Sequence, residues 1–187
     1  MKKTALMVAE GCEEGEALTI ADILRRAEIT CDLVGLTSRE VTGAHGITIR
    51  CDRVFEGDLD EYEMVILSGG YGGADALRDN SAFQRVLKKM DSEGKYIAAI
   101  CAAPEALYKA GLLNGRRYTC YPTIRKRITG AVYTGEPTEQ DGNIITGKGP
   151  AMAWAFAYKL ADVLGADSTA VKNRMVYFNA FDVKEDH

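Results

Sequence analysis

Short apolar runs recur along the chain, and amphipathic stretches separate them. Residues 4–9, 30–36, 64–67 and 96–100 are aliphatic-rich segments of strand length, which predicts buried β-strands. Between the first two, Ala17, Leu18, Ile20, Ala21, Ile23 and Leu24 fall at helical spacing, so a helix is expected to end near Ala27. Strand, helix, strand is a βαβ unit and points to a parallel sheet. Residues 37–60 read as an excursion in which Ile47, Ile49 and Cys51 alternate with Thr48 and Arg50, as in a half-exposed strand.

The third apolar run passes directly into Ser68-Gly69-Gly70-Tyr71-Gly72-Gly73. Glycines there mean tight turning and exposed backbone at the strand's C-terminal edge. A short helix is expected over 74–78 and another, capped by Ser81, to about Glu93. Further on the pattern predicts a short strand at 117–120 and a helix or irregular turn at 124–128. A turn at Asp141-Gly142, flanked by 132–133 and 143–146, reads as a hairpin or strand entry. A long apolar helix over 151–164 and a last helix over 168–176 complete the chain. Alternating strands and helices make an α/β fold with a mostly parallel sheet. The 187 residues suit a single domain, 1–187.

The most informative stretch is 95–110. The run Tyr96 to Ile100 is followed at once by Cys101, two alanines and Pro104, a residue suited to the first turn of a helix. Cys101 thus falls on a sharp strand-to-helix turn between residues too small to cover it, the geometry of a nucleophile elbow with cysteine in place of serine. A thiol at a helix N-terminus is biased toward the thiolate. The competing reading is a small buried core cysteine. In parallel α/β sheets, sites lie beyond the carboxyl ends of the strands. Residues 10–16, 68–73 and the Cys101 elbow all fall there, and this convergence favours the reactive reading.

Composition narrows the class. The net charge of −4 and the short, interrupted Arg125-Lys126-Arg127 cluster give no basic surface for nucleic acid. No apolar run approaches membrane-spanning length. The N-terminal Met-Lys-Lys-Thr-Ala-Leu-Met-Val-Ala has some signal-peptide character, but its apolar part is short and Glu10 ends it, so a first strand is expected. The cysteines are Cys12, Cys31, Cys51, Cys101 and Cys120, an odd count without paired spacing, which argues against a disulfide framework and for a reducing, cytoplasmic compartment. His45 and His187 are far apart and no Cys-x-x-Cys occurs, so no structural zinc site, and no cofactor, is expected.

The stretches Ala-Glu-Gly-Cys-Glu-Glu-Gly-Glu (9–16), Leu-Ser-Gly-Gly-Tyr-Gly-Gly-Ala (67–74), Ala-Ala-Ile-Cys-Ala-Ala-Pro (98–104) and Gly-Lys-Gly-Pro (147–150) together carry a resemblance. The chain resembles members of the ThiJ/PfpI superfamily, in the branch of the parkinsonism-associated protein deglycase and its bacterial relatives. The order of elements agrees from end to end. The resemblance implies a flavodoxin-like α/β sandwich, with helices on both faces of the sheet, and a homodimer. It makes Cys101 the reactive, oxidation-sensitive cysteine and Glu16 the glutamate hydrogen-bonded to it. Gly69, Gly70 and Ala102 become the backbone donors of an oxyanion pocket, and Arg26 an arginine near the pocket mouth.

A carboxylate beside a thiolate is disfavoured, so one of the two should hold a proton, and Glu16 can then act as acid or base. Glu13 and Glu14 read as complements to the helix dipole. Relatives with glyoxalase activity carry a histidine just before the proline of the segment that reads Thr119-Cys120-Tyr121-Pro122 here; Tyr121 stands in its place. Tyrosine, with an ordinary pKa near ~10, is a poor base at neutral pH. His45 falls in a loop where some members have an arginine, either near the pocket mouth or simply at the surface. His187 is terminal. Cys120 reads as buried packing or a resolving thiol. The expected activity is therefore cysteine-dependent chemistry on small 2-oxoaldehydes or glycated adducts, weakened by the missing histidine. The alternatives are a redox-responsive protein or chaperone using oxidation of Cys101 and, less favoured, a cysteine peptidase.

Overall fold

The computed structural model describes residues 2–179. Its central sheet is built on β1 (Lys3–Val8), whose side chains from Thr4 onward are all buried. β1 pairs in parallel with β2 (Thr30–Gly35) on one side and with β6 (Met64–Leu67) on the other. β7 (Tyr96–Ile100) and β11 (Ile144–Gly147) extend the sheet in parallel beyond β6, and β10 (Thr138–Asp141) closes that edge antiparallel to β11. β5 (Arg53–Val54) closes the other edge, giving the order β10-β11-β7-β6-β1-β2-β5. Strands buried on both faces need apolar residues throughout rather than alternation, which is why the four aliphatic runs stand out in the sequence.

The helices fall into two groups. α1 (Glu14–Arg26) packs on α5 (Ala153–Val163). α2 (Tyr71–Asp79), α3 (Ser81–Ser92) and α4 (Pro104–Lys109) pack on one another. Crossovers in parallel sheets are right-handed, so chain segments leaving β1 in opposite directions place these groups on opposite faces. The fold is the expected α/β sandwich. The point where the strand order reverses, between β1 and β6, is where such sheets open a crevice at the strands' C-terminal ends.

Several boundaries differ from the sequence expectation. α2 begins at Tyr71, so Gly72 and Gly73 are helical rather than loop. They are there because the helix packs on residues 10–12: a Cβ on Gly73 would come within 2.8 Å of Cys12 Cα. Asn80, not Ser81, caps α3; its side chain accepts the Phe83 N–H at 2.9 Å. The expected pairing of 132–133 with 143–146 is replaced. The Asp141-Gly142 turn joins β10 to β11, while β9 (Val132–Tyr133) pairs in parallel with β8 (Arg117–Tyr118). Residues Ile124–Arg127 form a 3-10 turn. The excursion after β2 contains an antiparallel hairpin of β3 (Glu40–Thr42) and β4 (Thr48–Arg50). A short last helix, α6 (Ser168–Arg174), follows α5. Among the described residues no helix is long and apolar enough to cross a membrane.

Candidate active site

Cys101 is the first residue beyond β7 and has φ 63°, a left-handed conformation unusual for a non-glycine residue. Backbone bonds on both sides hold it there: its N–H donates to Gly147 O at 2.9 Å, and its C=O accepts the Tyr121 N–H at 2.8 Å. Ala103 N–H turns back onto Ile100 O at 3.0 Å, and Pro104 opens α4. The elbow expected from the sequence is present, and strain of this kind persists only where the surroundings over-determine it. Backbone N–H groups of Gly70 and Ala102 are directed at the thiol.

Glu16, in the first turn of α1, is fully buried. One carboxyl oxygen, Oε2, accepts the Gly69 N–H at 2.8 Å; the other, Oε1, is buried and finds no hydrogen-bond partner among the described residues. Burial raises the Glu16 pKa to about 7, against the opposing pull of the Gly69 amide and the neighbouring Cys101 thiol. Burial likewise pushes the Cys101 thiol up, and the charge of Glu16 pushes it further, while the Gly70 and Ala102 amides act the other way. A helix-end bias toward the thiolate does not set this site. A shared proton does, because carboxylate and thiolate cannot both be charged in so dry a place.

The Gly69 N–H is occupied by Glu16 and so is not free for the oxyanion role the sequence reading gave it, a correction to that reading; the Gly70 and Ala102 N–H groups are directed at the thiol. Gly69 and Gly70 are nonetheless required as glycines. A Cβ on Gly69 would stand 2.6 Å from Cys101 Cβ, and Gly70 has φ 81° with Glu13 N 2.5 Å from where its Cβ would be.

A cleft of about 230 Å³ opens above the thiol. Its lining combines the buried Cys101 and Ala102 and the half-buried Gly70 and Glu13 with the exposed Tyr71, Tyr121, Pro150, Ala44 and His45. Tyr121 is there, as the family pattern implies, packed edge-on to Tyr71 with ring centroids 6.2 Å apart. A larger cleft of about 420 Å³, lined by Arg78, Gln84, Lys88 and Lys109 among others, contains neither a cysteine nor a buried acid.

Arg26 is not at the pocket of its own chain. It lies in the last turn of α1, ten residues or about 15 Å along the helix from Glu16, and pairs with Asp22 at 2.9 Å. Glu14, read as a dipole complement, is instead buried. Oε1 accepts N–H groups from His45 at 2.7 Å and Ile47 at 3.3 Å, and Oε2 lies 2.9 Å from His45 Nδ1. The signal available in the sequence was Gly43-Ala44-His45-Gly46, a tight hairpin turn bearing a titratable group. Cys120 is fully buried, its thiol directed at Tyr121 O at 3.4 Å. His187 lies outside the described residues.

The DJ-1/PfpI family model matches residues 2–163. The chain belongs to the DJ-1/PfpI family. It is 38% identical over 169 residues to DJ-1beta of Drosophila melanogaster, covering 88% of this chain and 90% of that protein. The crystal structure of Drosophila DJ-1beta superposes with a TM-score of 0.89 at 34% identity, over 94% of this chain and 98% of that one. A protein of Pyrococcus abyssi named as a deglycase is 35% identical over 127 residues, 66% of this chain and 76% of its own length. Toxoplasma gondii DJ-1, solved in an oxidized form, superposes with a TM-score of 0.88 at 29% identity over 94% and 98% of the two chains. As a DJ-1/PfpI protein this chain has a DJ-1 fold, and its Cys101 elbow sits within the matched region.

Proposed function

We propose that this protein is a cysteine-dependent enzyme acting on small 2-oxoaldehydes or the adducts they leave on amines and thiols. The observation that carries the reading is the Cys101–Glu16 pair: a strained cysteine lining a cleft, beside a fully buried carboxyl that exchanges its proton near pH 7. With methylglyoxal, Cys101 Sγ adds to the aldehyde carbon, and the thiol proton passes to the new oxygen to give a hemithioacetal. Gly70 and Ala102 N–H stabilise that oxygen as charge develops on it. Rearrangement to a thioester and hydrolysis release lactate and return the thiol, so the net reaction adds one water and needs no oxidant. The named deglycase in the family supports this substrate class. The test is lactate formation from methylglyoxal by the purified protein, abolished in Cys101→Ala. Absence of turnover by the unmodified protein would overturn the reading.

A second reading draws on the oxidized Toxoplasma relative. Cys101 would reduce hydrogen peroxide to water and become a sulfenate, then a sulfinate with a second peroxide, the charge held by the same two amides. Selective gain of two oxygens at Cys101 in peptide mass maps, without aldehyde turnover, would favour it.

A further inference from the structure

The β3–β4 hairpin is moulded around the Glu14 carboxylate. Besides the two N–H groups given to Glu14, Ala44 N–H donates to Cys12 O at 2.8 Å and Gly11 N–H to Thr42 O at 2.9 Å, tying the turn to the loop that leads into α1. Position 43 must be glycine, because a Cβ there would overlap the Glu14 side chain. The result is a histidine held at one place on the same cleft as Cys101. Burial works against the Glu14 charge, but hydrogen bonds from the His45 ring and from the backbone N–H groups of Glu14, His45 and Ile47 outweigh it and bring the carboxyl pKa down to about 2. An ionised carboxylate only accepts, so His45 Nδ1 carries a proton, and in the neutral imidazole, the form that acts as a base, Nε2 carries the lone pair. The side chain is 65% exposed, so Nε2 remains available to a ligand in the cleft.

We infer that the Glu14–His45 pair is the second proton-transfer device of this site, with His45 Nε2 as the base that removes the carbon-bound proton of the hemithioacetal formed on Cys101. This rests on the reading proposed above. The division of labour follows from position. Glu16, beneath the thiol with only Oε1 uncommitted, serves the oxygens. His45, which lines the cleft together with Cys101, serves the carbons. Nε2 takes the proton from the sulfur-bearing carbon, the C–H electron pair becomes a carbon–carbon double bond, and Glu16 gives its proton to the neighbouring carbonyl oxygen. Nε2 then returns its proton to the second carbon, and the hydroxyl on the first returns one to Glu16. The product is the thioester of the 2-hydroxy acid, which water cleaves; protons and electrons balance at each step. The Glu14 hydrogen bond to Nδ1, and next the charge of Glu13, whose Oε2 lies 3.7 Å from Nδ1, raise the ring pKa, with Tyr71, Tyr121 and Cys101 as the other polar groups on the cleft.

The test uses the full chain, methylglyoxal and His45→Ala. Turnover should fall about 10²-fold with little change in KM, and added imidazole, which can reach an exposed position, should restore a substantial part of it. Deuterium at the aldehyde carbon should slow His45→Ala more than the unmodified protein, since carbon–hydrogen cleavage becomes limiting. The rate of Cys101 alkylation by iodoacetamide reports whether the pocket is intact. His45→Ala as fast as the unmodified protein overturns the assignment and leaves the proposed function standing. Loss without imidazole rescue, or with Cys101 alkylation lost as well, makes His45 structural and also overturns it. No turnover in any form removes the proposed function and this role together.

Discussion

Near pH 7 Glu16 and Cys101 exchange the first of their protons, and above it they hold a single proton between them. Glu16 has a pKa raised to about 7 by burial, and its charge keeps the thiol from ionising independently. The remaining proton then stays with the thiol, so alkylation of Cys101 should become fast only at pH well above 7. In Glu16→Gln the opposing charge is gone and the rise should move to lower pH, because burial is then the main term against the thiolate. Cys12, Cys31, Cys51 and Cys120 are pushed up by burial too, but none lines the cleft. Limiting iodoacetamide with peptide mapping should label Cys101 first; preferential labelling of any other cysteine would contradict the assignment. Tyr121 bears on the same chemistry. If His45 is the carbon base, Tyr121→His should add little alone, yet recover in the His45→Ala background a part, roughly tenfold or more, of the ~10²–10⁴ that a general base contributes. A large gain in the unmodified background would instead mean that the native protein lacks a working base.

At the scale of elements, the β3–β4 hairpin is the part the sequence hid. The strands β1, β2, β6 and β7 were legible because burial on both faces leaves uninterrupted aliphatic runs, and the elbow because Cys-Ala-Ala-Pro has a local meaning. Glu14 was not legible. A glutamate in the first turn of a helix looks the same in sequence whether it faces water or carries a hairpin, and only the packing of Gly43 against it distinguishes the two. Gly69 was misassigned for a similar reason: the backbone geometry was right, but which acceptor its N–H serves is a tertiary fact. Gly43→Ala should push the hairpin off the carboxylate and cost about 1–3 kcal/mol, with faster amide exchange at His45 and Ile47. Glu14→Gln should weaken the same bonds. The Glu14 pKa is lowered in the fold, so its contribution is present above pH about 4.5 and fades as pH falls toward 2. The stability difference between Glu14→Gln and the unmodified protein should shrink over that range in denaturant titrations.

For the whole molecule, the switch point of the sheet carries a stability cost centred on Glu16. A carboxyl with no exposure and one unpaired oxygen favours its neutral form, so its folded pKa of about 7 lies above the ordinary 4.5. With the folded pKa the higher one, the native state binds more protons between pH 4.5 and 7. Stability attributable to this group is thus fully present below about 4.5, declines as pH rises to about 7, and is level beyond it. A shift of this size corresponds to roughly 3 kcal/mol at 1.36 kcal/mol per pKa unit, a large fraction of the stability of an ordinary domain. Glu16→Gln keeps the shape, can still accept the Gly69 N–H through its amide oxygen, and has no charge to lose. The variant should therefore show no such decline, and by pH 8 it should be more stable than the unmodified protein, by up to that amount in urea titrations and with a higher Tm. It should also lose aldehyde turnover, because the group that disfavours the fold at alkaline pH is the one that moves the proton. Equal stability of the two proteins from pH 5 to pH 8 would mean that Glu16 titrates normally, and the shared-proton account of Cys101 would fall with it.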